Sequence, residues 1–507
     1  MGSLRLDCRR AAGTASLRMV ALLVLLVPFL GLAPAPAPVL RAQPELLAQA
    51  AAQPAARLAV IIQKTTPGTG LEALVARLGG RVTLDLHIIN AFAAEVPASA
   101  LATVAGADGV RWVSLDAPVV KTDCTDCVNT TRLRNAYDRA IHADQVWGDG
   151  QGYGVGVAVL DSGVNPNQDL YTPWGRSRLV ASAAFNTDWN RTPFDGYGHG
   201  THVAGIIGGN GAASQGSYIG IAPAANLINV KVSNDDGSAS ASSVVAGLQW
   251  INDNRNSYNI RVVNISLNST LKESYHNSAI DAAVEILWFN KIVVVVSAGN
   301  KGELNALYPP ANDPFVITVG ATDDQGTPGM GDDTVASFSA YGRTESGFSK
   351  PDLVAPGTDI VSLLSARNST IAQAHPDHIV TDPYFRMSGT SMAAPMVAGA
   401  VALLLQREPQ LTPDQVKFRL MTTAAREAWP GYTVTKAGAG YLDIYAAVHT
   451  ATTNSANTGT NVSRLLTTGS DPISWGSVSW NSVSWNSVSW NSVSWNSVSW
   501  NSDFWGP

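Results

Sequence analysis

The chain has 507 residues, 45% of them apolar, with 33 Lys and Arg against 39 Asp and Glu for a net charge of -6. That length exceeds one ordinary core and leaves room for a large catalytic domain beside smaller units. With a negative balance and no Lys/Arg run, nothing in the charge pattern selects nucleic acid or an anionic membrane surface as a partner.

Taken in order, the chain opens with Arg5, Arg9, Arg10 and Arg18 ahead of an apolar run over 19–32, then small residues and prolines to Ala42. This is the layout of a secretory signal peptide, predicted over 1–42, with cleavage around Ala33-Pro34-Ala35 or after Ala42. The run is short and contains Pro28, which disfavours a permanent anchor. The mature protein is therefore expected outside the cell or at its surface, meeting the membrane only during export.

Residues 58–63, 71–78, 81–87, 91–96, 98–105 and 110–115 read as strand, helix, strand, strand, helix, strand. That order is the split βαβ, ferredoxin-like unit and predicts a small α+β domain over 43–120. A polar linker follows over 121–142 and carries Cys124 and Cys127. Cys8 would leave with the signal, so this pair is a candidate local disulfide outside the cell. A zinc or redox site would need further ligands or a strand-helix setting that the segment lacks.

From about Ala143 the pattern changes to β-branched runs at 155–160, 227–232, 262–266, 292–296 and 315–319, with helical stretches at 202–207, 242–252, 278–290 and 412–423. Continuous apolar strands alternating with helices imply a mainly parallel sheet buried on both faces, an α/β layered domain over 143–450. Residues 451–507 turn to Thr, Asn, Ser and Gly and then to Ser-Val-Ser-Trp repeats of period five, holding seven of the chain's 14 tryptophans. An odd period places successive tryptophans on opposite faces of a strand, so no single face buries them all.

Three short stretches carry chemistry. The strand at 155–160 delivers Asp161 into an Asp-Ser-Gly turn, where open α/β sheets place their sites. Gly-His-Gly-Thr-His-Val-Ala-Gly at 198–205 sets His199 at the mouth of a helix and His202 nearly one turn inside. A zinc pair of these histidines would lack its Glu base. Ser-Gly-Thr-Ser-Met-Ala-Ala-Pro at 388–395 runs into a long apolar helix, with Ser391 at its positive N-terminal end and Pro395 expected in the first turn, where proline is tolerated. The glycine-rich 148–156 segment does not complete a dinucleotide fingerprint.

Together these motifs resemble the subtilisin-like serine peptidase family over roughly 143–448, in the chain order Asp, His, Ser. The resemblance implies a subtilisin-like three-layer fold, Ser391 as nucleophile, His199 as base and Asp161 as its orienting partner, hydrolysing proteins or peptides without a cofactor or catalytic metal. It implies an oxyanion hole of Asn300 and the Ser391 N–H, an edge strand at Gly237, Ser238 and Ala239, and an opposite wall at Ser266, Leu267 and Asn268. Ser297, Ala298 and Gly299 complete the cleft. Asn268 stands where the family usually has glycine, so its side chain is expected to crowd the pocket before the scissile bond. The 43–120 unit looks like an inhibitory propeptide, and a cis bond is expected before Pro310. Family members often bind structural calcium, but the 208–219 loop has no carboxylate to support it. The rival reading is a non-catalytic surface or adhesion protein using its Trp-rich tail.

Overall fold

The computed structural model describes residues 40–122, 136–188, 191–426, 429 and 431–467. Residues 1–39 of the predicted signal peptide, the Cys124 and Cys127 pair and the Trp repeats lie outside the described residues.

The N-terminal part comprises α1 (Pro44–Ala52), β1 (Arg57–Lys64), α2 (Gly70–Arg77), β2 (Arg81–Leu86), β3 (Ala91–Pro97), α3 (Leu101–Ala105) and β4 (Val110–Leu115). Its antiparallel sheet has the order β2-β3-β1-β4, that of a split βαβ unit. Because side chains alternate across a sheet, Val60, Ile62, Phe92 and Ala94 pack under the helices of this unit. Ile61, Ala91 and Ala93 face the other way and join the core of the larger part.

After β5 (Pro118–Lys121) and α4 (Tyr137–Ala140) come β6 (Gly156–Asp161), β7 (Leu179–Ala184), α5 (His199–Gly208), β8 (Asn226–Lys231), β9 (Ala239–Ser240), α6 (Ala241–Asn254), β10 (Ile260–Ile265) and β11 (Leu267–Ser269). Then follow α7 (Ala279–Phe289), β12 (Val293–Ser297) and β13 (Ile317–Asp323). The short β14 (Thr334–Val335), β15 (Gly342–Arg343) and β16 (Ser349–Lys350) precede β17 (Leu353–Pro356), β18 (Ile360–Leu363) and the short α8 (Thr370–Ala374). Strands pair in parallel from β7 through β8, β6, β10, β12 and β13 to β17, and β14 adds an antiparallel end.

Chain order reverses between β6 and β10, so their C-terminal ends border the crevice where α/β sheets bind ligands. Asp161 ends β6, and Ser266 follows β10. Helices α6 and α7 pack together and receive the free face of the N-terminal sheet, while α5 packs on the long α9 (Thr390–Arg407). The Ile88 N–H donates to Gln249 Oε1 of α6 at 3.1 Å.

Three findings refine the sequence reading. Pro395 lies at the sixth position of α9, not its first turn, and so removes the helical bond to the Ser391 carbonyl. The Ser266 hydroxyl donates to that carbonyl instead, at 3.1 Å. The Pro309–Pro310 bond is cis, as expected. Packed chain also runs past 450: Val462 and Leu465 are buried, and Gln63 Nε2 donates to the Leu465 carbonyl at 2.9 Å.

Candidate active site

Asp161, His199 and Ser391 meet at the crevice, all fully buried. His199 Nδ1 lies 2.8 Å from Asp161 Oδ1, which also accepts the Ser162 N–H at 2.7 Å. Burial alone would raise the Asp161 carboxyl, but His199, the Lys121 ammonium and these hydrogen bonds outweigh it and hold the group well below the usual carboxylate range. An ionised Asp161 fixes His199 as the Nδ1–H tautomer and leaves Nε2 as the basic nitrogen.

The turn carrying His199 is held by a residue that the sequence reading passed over. Asp195 accepts the Gly198 N–H at 2.7 Å, the Thr201 N–H at 2.8 Å, the Thr201 hydroxyl at 2.6 Å and the Ser162 hydroxyl at 2.8 Å. Its carboxylate thus caps the first turn of α5 and ties it to the Asp161 loop. The visible signal was an acidic residue within the three positions before a Gly-His helix start. Gly198 has φ +112, and a Cβ there would lie 2.7 Å from Ile371, so only glycine fits.

Ser391 Oγ is bonded to Thr122 Oγ1 at 2.7 Å and donates to the Ser266 carbonyl at 3.2 Å. Among the described residues His199 Nε2 has no hydrogen-bond partner, so the serine-to-imidazole bond is not made while Thr122 is in place. His202 stands apart. Its Nε2–H bridges the Ile360 and Phe385 carbonyls at 3.2 and 3.0 Å, and burial lowers its pKa to about 3, which marks a neutral core histidine.

The crevice is filled by the chain itself. Strand β5 lies antiparallel between β9 and β11, with Val119 opposite Ala239 and Lys121 opposite Leu267. Its following residue, Thr122, donates its N–H to the Ser266 carbonyl at 3.4 Å, and the Thr122 carbonyl accepts the Ser391 N–H at 3.1 Å and a hydrogen bond from Asn300 Nδ2. Asn300 Oδ1 accepts the Thr390 N–H and hydroxyl, both at 2.9 Å, which fixes the amide so that its NH2 faces Thr122. A carbonyl oxygen held by a backbone N–H and a fixed amide N–H is where negative charge would be stabilised.

The other residues expected in the cleft fall around this strand. Ala239 and Leu267 pair with it, whereas Ser238 lies before β9, accepting from Asn234 Nδ2 at 3.2 Å. The Ser297 hydroxyl is bonded to the Thr122 hydroxyl, and the Gly299 N–H donates to Thr390 Oγ1 at 3.1 Å. Asn268 is buried and donates to the Ser297 carbonyl at 3.2 Å, and its Oδ1 lies 3.4 Å from where a Gly299 Cβ would be. Ala298 is buried and donates its N–H to the Val319 carbonyl at 2.9 Å. What sequence reasoning missed was the occupant, Lys121 and Thr122, because a polar segment of no periodicity gives no pairing signal.

A second acidic group lies elsewhere. Asp281 and Glu285, on one face of α7, are fully buried near Asp313, Glu345 and Glu273. Burial and then repulsion by neighbouring acids push Asp281 and Glu285 well above the carboxylate range and Glu273 to about 8, whereas burial, opposed by Lys350 and Lys417, raises Asp313 to about 6. Among the described residues, no group of three or more His, Cys, Asp or Glu is placed to hold a metal ion. No described helix is long and apolar enough to cross a membrane.

Comparison with known proteins gives a consistent result. Residues 152–465 match the profile of the subtilase family. The chain is 40% identical over 339 residues to serine protease AprX of Bacillus subtilis, covering 65% of this chain and 73% of that protein. It is 32% identical to subtilisin DY of Bacillus licheniformis, covering 61% of this chain and 96% of the relative. The crystal structure of fervidolysin from Fervidobacterium pennivorans, a keratinolytic enzyme related to subtilisin, superposes with TM-score 0.60 at 25% identity, over 78% of this chain and 61% of that one.

Proposed function

The chain belongs to the subtilase family of serine proteases, and from that premise we propose that it is a secreted endopeptidase made as a self-processing precursor, with Asp161, His199 and Ser391 as its triad. The observation that carries this reading is the Thr122 carbonyl held between the Ser391 N–H and the Asn300 amide, with Ser391 Oγ beside it.

In this reading the Ser391 hydroxyl turns from Thr122 and Ser266 toward His199 Nε2, loses its proton to the imidazole and attacks a substrate carbonyl. Asp161 stabilises the imidazolium, and the Asn300 amide with the Ser391 N–H stabilises the oxyanion. His199 then returns the proton to the leaving amine, forming an acyl-enzyme that water hydrolyses. The register makes Thr122 the residue before the scissile bond and Asp123 the first residue after it. Asn268, whose amide bonds the carbonyl of the same Ser297 whose hydroxyl meets Thr122, would narrow the first pocket and favour small side chains such as that of Thr122.

The 43–120 unit then acts as an intramolecular inhibitor, its sheet resting on α6 and α7 and its last strand filling the crevice. Wild-type protein should yield a mature chain beginning at Asp123, whereas Ser391→Ala should accumulate at precursor length. N-terminal sequencing of both tests this. Fully active enzyme with residues 57–119 still attached would overturn the inhibitory role, and a different new N-terminus would overturn the register.

A further inference from the structure

We propose that the cleft carries a lysine-selective second subsite, built from Asp161, Ser233 and Tyr197, that reads the residue two positions before the scissile bond. The proposal rests on the reading of residues 118–122 as a bound substrate strand. In that register Val119 and Lys121 point into the cleft and Val120 points out, 47% exposed.

The Lys121 side chain is only 3% exposed, an unusual place for an ammonium, which is costly to bury without partners. Here partners surround it. Lys121 Nζ donates to Ser233 Oγ at 2.6 Å, lies 3.2 Å from Asp161 Oδ1, and sits 5.5 Å from the centre of the Tyr197 ring. A buried hydroxyl, a buried carboxylate and an aromatic face together replace the ammonium's water. Gly237 makes room for the third of these: a Cβ at this position, whose φ is +87, would lie 2.7 Å from the Tyr197 ring.

The pocket discriminates in two directions. An apolar side chain would leave Ser233 Oγ and Asp161 Oδ1 facing hydrocarbon, removing partners that an ammonium supplies. A guanidinium is longer and brings five N–H donors in a planar fork, more than this enclosed site can accept. Lysine matches as a compact point charge on a flexible stem. The same carboxylate that orients His199 therefore also recognises substrate, so ground-state binding and the reacting centre share one group.

The test uses mature wild-type enzyme and matched chromogenic peptides ending in Pro-Val-Val-X-Thr, with X as lysine, arginine, leucine or norleucine. Norleucine keeps the stem and lacks the ammonium. Lysine should exceed each of the others by about tenfold in kcat/KM, the scale of one charge-assisted hydrogen bond. The lysine-to-norleucine ratio should fall severalfold in Ser233→Ala and in Tyr197→Leu, two changes at separate points of the pocket. Equal rates on lysine and norleucine peptides would overturn the subsite while leaving the cleft register standing. Hydrolysis of none of the four by enzyme that still digests casein would overturn the register and the subsite with it.

Discussion

Asp161 and the carboxylates of α7 lie equally deep, yet their protonation is opposite. Asp161 faces His199 and Lys121, and one of its oxygens accepts two hydrogen bonds and the Lys121 ion pair, so it stays ionised. Asp281 has Asp313, Glu345 and Glu273 for neighbours, and burial together with their repulsion pushes its carboxyl well above the usual range. Desolvation is common to both, so the sign of the neighbours decides. A buried acid is thus a candidate for chemistry when cations and donors face it, and a stability liability when other acids do.

The largest expected effect is that of Ser391→Ala, which leaves both charge clusters intact and removes the nucleophile. Turnover of a peptide substrate should fall by roughly a millionfold, a scale set by measurements on subtilisin itself. Asp161→Asn should cost about ten-thousandfold in kcat, because a neutral amide supports the wrong imidazole tautomer. Asp281→Asn, the matched change in the other cluster, should leave kcat within about twofold. A comparable loss in both would end the distinction drawn above. Asn300→Ala should lower kcat by roughly a hundred- to a thousandfold with little change in KM, again on the subtilisin scale.

The pH response separates the clusters by sign. For the α7 group the folded pKa values exceed the ordinary range of about 4, so the unfolded chain releases protons that the folded chain keeps. The stability this group confers is full below about pH 4 and is lost as pH rises through about 6 for Asp313 and about 8 for Glu273. Asp161 behaves in the opposite way, its contribution present above pH 4 and lost as pH falls. Melting temperatures of the Ser391→Ala precursor between pH 4 and pH 9 should decline toward the alkaline end, and Glu273→Gln should flatten the decline between pH 6 and 8. A flat profile would show that the cluster ionises without cost.

Much of this was legible in the sequence, for identifiable reasons. Asp161, His199 and Ser391 each sit where a strand ends or a helix begins, and such boundaries leave local marks in glycine, serine and apolar runs. The N-terminal element order followed from short apolar runs broken by turn residues, although β1 and β3 are buried on both faces. The occupied crevice was hidden, since Thr122 and Ser391 are 269 positions apart and joined through a polar stretch. The arm over 461–467 was hidden too. It is held by backbone groups, such as the Ser463 N–H on Glu285 at 2.8 Å, which any sequence offers.

The join between β4 and β5 is two residues long, Asp116 and Ala117. Asp116 is itself fastened, accepting the Ser242 N–H of α6 at 2.7 Å. In the proposed precursor this makes the N-terminal unit a bivalent ligand, one part on the helices and the other in the crevice. A short tether holds its second part at a millimolar effective concentration, so neither contact needs to be tight by itself. One cut in the join would dissolve that avidity, leaving a short peptide and a separate domain to depart independently. The enzyme would then change from silent to active abruptly, governed by the first successful cut at this join.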